Sequence, residues 1–250
     1  MDHPAPGDPF IAPTQRMTLT DDEVHVWRYA LDQPPAITER LKRTLAQDEL
    51  NRAGRFHFIK DRDHYIVARG TLRAILGYYL GLDPVKIRFR YAEYGKPSLV
   101  NELGGEWLRF NVAHSHGLAL FGVTRGREIG VDLEWIRSGL ADEQIAERFF
   151  SAAETRVLRE LPMHLQDVAF FNCWTRKEAY IKARGEGLSM PLSDFEVSLV
   201  PGEAAALLRA SGAPGELDRW SFRELYPAEG FVAAIAVEGK GWQLRCLQWS

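Results

Sequence analysis

Cysteine is scarce in this chain of 250 residues, where only Cys173 and Cys246 occur. Two thiols so far apart in sequence supply neither a disulfide scaffold nor a thiolate metal site, so a packed core has to hold the fold, and the chain suits a reducing cytoplasm. Charge of one sign is not in excess either: 31 Lys and Arg against 34 Asp and Glu leave a formal charge of −3. No general field then draws nucleic acid or a membrane surface, and any anion site must be local. Long apolar runs are missing, since no window approaches the ~20 residues a membrane helix needs. The start, Met1-Asp2-His3-Pro4-Ala5-Pro6-Gly7-Asp8-Pro9, is acidic and proline-rich. It lacks the basic lead and apolar centre of a secretory signal and reads as a flexible segment over residues 1–15. Short repeats and low-complexity tracts are absent too.

What remains is ordinary globular material: 46% apolar, 11% aromatic and 26% charged residues, enough to build a core. Residues 23–31 alternate apolar and polar side chains and predict a strand. Helical spacing follows over about 35–47, through Ile37, Leu41 and Leu45, and again over about 61–80, closing at Gly81. Strands are expected at 86–91 and 108–115, with a turn at Tyr94-Gly95-Lys96-Pro97 between them. Residues 118–124 and 128–135 read as a hairpin across Arg125-Gly126-Arg127. Helices are then predicted over 142–149, from a capping box at Ser151 and Glu154, and over about 165–183. Strand composition returns at 195–199, 219–222, 231–237 and 242–247. Strands and helices in both halves make the fold α+β. We read an N-terminal lobe over 16–127, a C-terminal lobe over 128–250 and a site between them.

Three stretches can carry chemistry. In Gly130-Val131-Asp132-Leu133-Glu134 the two acids share one face of a strand, while Val131 and Leu133 point to the other. A hard cation such as magnesium would relieve their repulsion, although on spacing alone two unrelated acids on a solvated face account for the pattern better. Along 174–182, Trp174, Glu178 and Lys182 recur every four residues and occupy one helical face. Alone, that is a packed Trp beside an ordinary Glu–Lys pair. His114 and His116 alternate on one strand without the further ligands zinc requires, so a phosphate contact or packing suits them better. Between residues 40 and 73, Arg40, Lys42, Arg43, Arg52, Arg55, Lys60, Arg62, Arg69 and Arg73 outnumber Asp48, Glu49, Asp61 and Asp63, which makes this the local anion-binding candidate. Stacking aromatics are not interleaved there as an RNA site would need.

These motifs gain meaning from their order. Tyr94-Gly95-Lys96-Pro97, Phe110-Asn111-Val112-Ala113-His114-Ser115, Gly130-Val131-Asp132-Leu133-Glu134, Arg148-Phe149-Phe150-Ser151, Trp174-Thr175-Arg176-Lys177-Glu178-Ala179 with Lys182, and Gly185-Glu186-Gly187-Leu188 occur in one succession. Over roughly residues 52–197 this resembles the Sfp-type 4′-phosphopantetheinyl transferase family. The resemblance implies two similar lobes in a pseudo-twofold relation, acting as a monomer with coenzyme A in the cleft. It implies magnesium held by Asp132, Glu134 and Glu178, with Glu178 and Lys182 as catalytic residues. Coenzyme A contacts implied are Lys96, His114, Lys177 and Lys182, and the acceptor is a serine of an acyl or peptidyl carrier protein. Two departures stand out. Ala113 replaces a frequent serine, and Glu49 and Arg52 are all that represents a lysine-rich stretch, leaving Arg52, Arg55 and Arg69 as candidates for the coenzyme's 3′-phosphate. A coenzyme A-binding module without chemistry, and a magnesium-dependent phosphohydrolase, are the competing readings.

Overall fold

The computed structural model describes residues 8–15, 17–137, 139, 143–210 and 214–250. Residues 1–7 of the segment expected to be flexible, and Asp142 of an expected helix, lie outside these. Just beyond, Phe10 is buried and Ile11 bridges to Leu247.

The first half runs β1 (Glu23–Ala30), α1 (Pro35–Lys42), α2 (Gln47–Ala53), α3 (Ile59–Leu80), β2 (Phe89–Tyr91), β3 (Pro97–Leu99), β4 (Leu108–Ser115) and β5 (Leu118–Arg125). The second half runs β6 (Ile129–Trp135), α4 (Glu143–Phe149), α5 (Ala152–Glu160), α6 (Met163–Arg184), β7 (Phe195–Val197), β8 (Leu207–Ala210), α7 (Glu216–Arg219), β9 (Trp220–Leu225), β10 (Phe231–Glu238) and β11 (Gln243–Gln248). The expected 35–47 helix stops at Lys42. The Glu49 carboxylate accepts the backbone N–H of Ala46 at 2.7 Å and opens a separate helix, α2.

Two sheets form the centre, ordered β11-β1-β5-β4 and β6-β10-β9. Period-two alternation sends each strand's side chains to different partners. Trp27 and Tyr29 of β1 join Val67, Leu72 and Ile75 of α3, whereas Val24 and Val26 face Val131, Leu133 and Ile235 of the second sheet. Ala234 and Ala236 of β10 pack with Phe170, Tyr180 and Ile181 of α6. The order through the molecule is therefore helix, sheet, sheet, helix, and each fully buried aliphatic such as Ile235 contributes roughly 1.5–3 kcal/mol. The last strand, β11, completes the first sheet by pairing parallel with β1.

The hairpin expected between 118–124 and 128–135 is not formed. The tight turn is instead at His116-Gly117, joining β4 to β5, where both residues have positive φ (45° and 78°) as a two-residue hairpin turn demands. His116 therefore leaves the strand face it was expected to share with His114, and it stacks against Trp135 at 5.8 Å. After β5 the chain crosses to the second sheet, where β6 pairs with β10. Side chains rather than a ladder stitch β6 to β4: Asn111 Oδ1 accepts the Val131 N–H at 2.9 Å and Ser115 Oγ accepts that of Trp135 at 3.3 Å. Among the described residues no helix is long and apolar enough to cross a membrane.

Candidate active site

Gly130 begins the face of β6 that also carries Asp132 and Glu134. A Cβ there would lie 1.9 Å from Ala179 O and 2.4 Å from Ala183 N, so only glycine lets α6 lie this close on the strand. That close approach seats the Glu178 and Lys182 face of α6 over the two strand acids. Lys182 Nζ donates to Asp132 Oδ1 at 2.5 Å, and Asp132 itself is buried. Its second oxygen, Oδ2, is buried without a hydrogen-bond partner. Ser115 Oγ donates to Glu134 at 3.2 Å.

The electrostatics make these groups one cluster. Burial raises Asp132 above the ordinary carboxylate range despite Lys182. Burial, then the Asp132 charge, raises Glu134. Glu178 is raised by burial and then by Asp132 and Glu134. Burial pulls the Lys182 ammonium down, but Asp132, Glu178 and Glu134 together outweigh it and hold it above its usual value. His114, at the end of β4, is open to solvent yet walled by protein. That setting, and then Lys182, His64 and Arg52, hold its imidazole below its ordinary range.

Among the described residues no three His, Cys, Asp or Glu side chains are gathered tightly enough to hold an ion as they stand. Charge and chemistry nevertheless suit one. Three mutually repelling carboxylates, one with a buried and unpartnered oxygen, form a donor set that would suit a hard cation.

The expected anion contacts divide. Arg52 and Arg55 line an open groove of about 690 Å³ between α2, α3 and β2, together with Phe56, Tyr65 and Tyr91. Arg69 lies beside it but is engaged: it donates to Glu49 at 2.5 Å and to Tyr91 Oη at 2.5 Å, with its guanidinium 3.8 Å over Phe89. Arg73, from the same basic run, is buried against Glu49 and the carbonyls of Pro84 and Ile87. Lys96 reaches across to the end of α6, donating to Glu128 at 2.7 Å and to Ala183 O at 2.8 Å. Gly185 caps α6 in the left-handed conformation (φ 74°), and Gly187 lies against Tyr94. Lys177 does not face the cluster at all. It is fully buried on another flank of α6, because its ammonium finds three acceptors there.

Sequence reasoning missed Gly130, Asn111 and Ser115 as site builders. The signal was present for the last two, since alternate residues of β4 must turn toward β6 if His114 turns toward α3.

Two family models match: the 4′-phosphopantetheinyl transferase superfamily over residues 128–236, and the N-terminal part of a 4′-phosphopantetheinyl transferase over residues 35–122. The 4′-phosphopantetheinyl transferase HetI of Nostoc sp. is 44% identical over 227 residues, covering 91% of this chain and 92% of its own. A 4′-phosphopantetheinyl transferase of Bacillus subtilis is 32% identical over 68% of this chain and 74% of its own. The Sfp protein of the same species is 30% identical over 64% and 69% respectively.

Proposed function

Because the chain belongs to the 4′-phosphopantetheinyl transferase superfamily, we propose that it moves the 4′-phosphopantetheine arm of coenzyme A onto a serine of an acyl or peptidyl carrier protein, releasing adenosine 3′,5′-bisphosphate. The observation that carries this is the convergence of Asp132 and Glu134 from a strand with Glu178 and Lys182 from a helix, coupled in charge and leaving one buried carboxylate oxygen unpartnered.

Asp132, Glu134 and Glu178 are the residues that would hold a magnesium ion, which when bound neutralises charge on the coenzyme's diphosphate. Glu178, its carboxyl already raised, is suited to take the proton of the serine hydroxyl as that oxygen attacks the β-phosphorus. The bond between β-phosphorus and the bridging diphosphate oxygen breaks, and Lys182 neutralises the oxygen that departs with the nucleotide. His114 donates a hydrogen bond to the diphosphate from the mouth of the site. Arg52 and Arg55 hold the 3′-phosphate in their groove. Positioning and charge neutralisation supply most of the rate.

Two lobes in a pseudo-twofold relation, with coenzyme A between them, belong to the same reading. It is supported by a 22-residue helix on the outer face of each sheet. A monomer working in the cytoplasm completes it.

The test is to mix the protein with magnesium, coenzyme A and a panel of fatty-acid, polyketide and peptide-synthetase carriers and weigh each carrier. A gain of the phosphopantetheine mass on at least one is expected. No gain on any carrier would overturn the proposal, and coenzyme A breakdown without carrier would point to a phosphohydrolase instead.

A further inference from the structure

Lys177 immediately precedes Glu178, yet its side chain leaves α6 about 100° away around the axis and goes fully underground. Its ammonium donates to Leu192 O at 2.7 Å and Phe195 O at 2.6 Å, and it pairs with the Glu154 carboxylate at 2.8 Å. Two carbonyl hydrogen bonds and one ion pair thus surround the ammonium. Glu154 is equally committed, because Oε2 also accepts the Ser151 N–H at 2.7 Å and Oε1 accepts that of Val197 at 2.8 Å. One further residue back, buried Arg176 donates to Ser198 O at 2.7 Å and to Glu224 of β9 at 2.8 Å. Consecutive cations thus tie α6 to α5, to the start of β7 and to β9.

We propose that the buried Glu154–Lys177 pair is a positioning element of the active site, fixing the rotation of α6 about its own axis and so the placement of Glu178 and Lys182 over Asp132. This rests on the transfer reaction proposed above. An apolar pair of similar volume would serve packing at least as well, since a buried ion pair is a poor source of stability. What the pair adds is direction, because it is satisfied in only one rotational setting. Gly130 sets how near α6 lies to β6, and the Lys177 and Arg176 contacts add directional constraints to the packing of Phe170, Tyr180 and Ile181. Cα atoms lie about 2.3 Å from a helix axis and a carboxylate several ångströms further, so a rotation of about 10° moves Glu178 by roughly 1 Å. A displacement of that size costs on the order of a hundredfold in rate.

Lys177→Met leaves Glu154 buried without its partner and is expected to lower the melting temperature steeply. The informative variants are Glu154→Gln/Lys177→Met, which removes both charges, and Glu154→Asp, which keeps the pair but shortens one arm. Both are expected to melt cooperatively. They should bind manganese alone more weakly and lose kcat, about a hundredfold for the double variant and about tenfold for Glu154→Asp. Folded variants with native manganese affinity and native kcat would overturn the proposal. If the wild-type chain modifies no carrier, the transfer reading fails, while the manganese comparison still decides whether the pair positions α6.

Discussion

Two sets of charges ride on α6 a fraction of a turn apart, and they are built on opposite rules. Lys177, Glu154 and Arg176 are buried and hydrogen-bonded to groups of the protein itself, Arg176 to Ser198 and Glu224. Glu178 and Lys182, facing Asp132 and Glu134, form a set in which carboxylates repel one another and Asp132 Oδ2 has no partner. A polar group that is completed internally has nothing left to offer a ligand. One held in place but incomplete keeps an electrostatic cost that a bound cation would relieve, which is why the proposed site lies here.

The strongest way to break this contrast is to remove an incomplete acid. Asp132→Ala and Glu178→Ala are each expected to cut carrier modification at least about a thousandfold, the scale of several kcal/mol of transition-state charge stabilisation. The metal-free melting temperature of Glu178→Ala should hold or rise, since repulsion from Asp132 and Glu134 is relieved. Near-normal turnover in either variant would refute the ligand assignment. Next comes Gly130→Ala, whose added methyl has to push α6 off β6. About 1–3 kcal/mol of stability and on the order of a hundredfold in kcat should be lost together, measured by denaturant unfolding and steady-state kinetics.

A pH series sharpens the comparison further. Asp132, Glu134 and Glu178 bind protons more readily folded than unfolded. Their contribution to stability is therefore fully present below the ordinary carboxylate range and is lost as pH rises through the raised folded values. His114 has the opposite sign: its folded value lies below 6.5, so what it contributes is lost as pH falls through that window. Metal-free His114→Gln should consequently gain more stability than the wild type on acidification from about pH 7 to 5. Equal slopes in thermal melts would show that His114 is not coupled to this site. The smallest effect is expected from Arg52→Ala. KM for coenzyme A should rise about tenfold, the loss of one charged hydrogen bond, with kcat and melting temperature unchanged.

Much of the acidic cluster was legible in the sequence. Period two places Asp132 and Glu134 on one strand face, and a spacing of four places Glu178 and Lys182 on one helix face, as the structure shows. The neighbour of Glu178 was misjudged. The four-residue spacing already set Lys177 off the face of Glu178 and Lys182, but nothing local showed that its ammonium would meet Leu192 O, Phe195 O and Glu154. Arg69 and Arg73 were hidden in the same way, because their partner Glu49 lies on α2, a helix that the sequence reading did not contain. The misplaced hairpin has a similar origin. Arg125-Gly126-Arg127 has turn composition, but β6 finds its ladder in β10, about a hundred positions later, and no local pattern announces such pairing.

By itself, then, the sequence determined which side chains share a face, where helices begin and end at Ser151 and Gly185, and the family to which the motifs belong. These depend on backbone periodicity and local capping, which act over a few residues. Only the tertiary structure decided that α6 rests on a bare Gly130, that β11 returns to pair with β1, and which of the adjacent Lys177 and Glu178 faces the core. Those outcomes depend on the partner each surface meets, and burial energies are set by contacts between residues far apart in the chain.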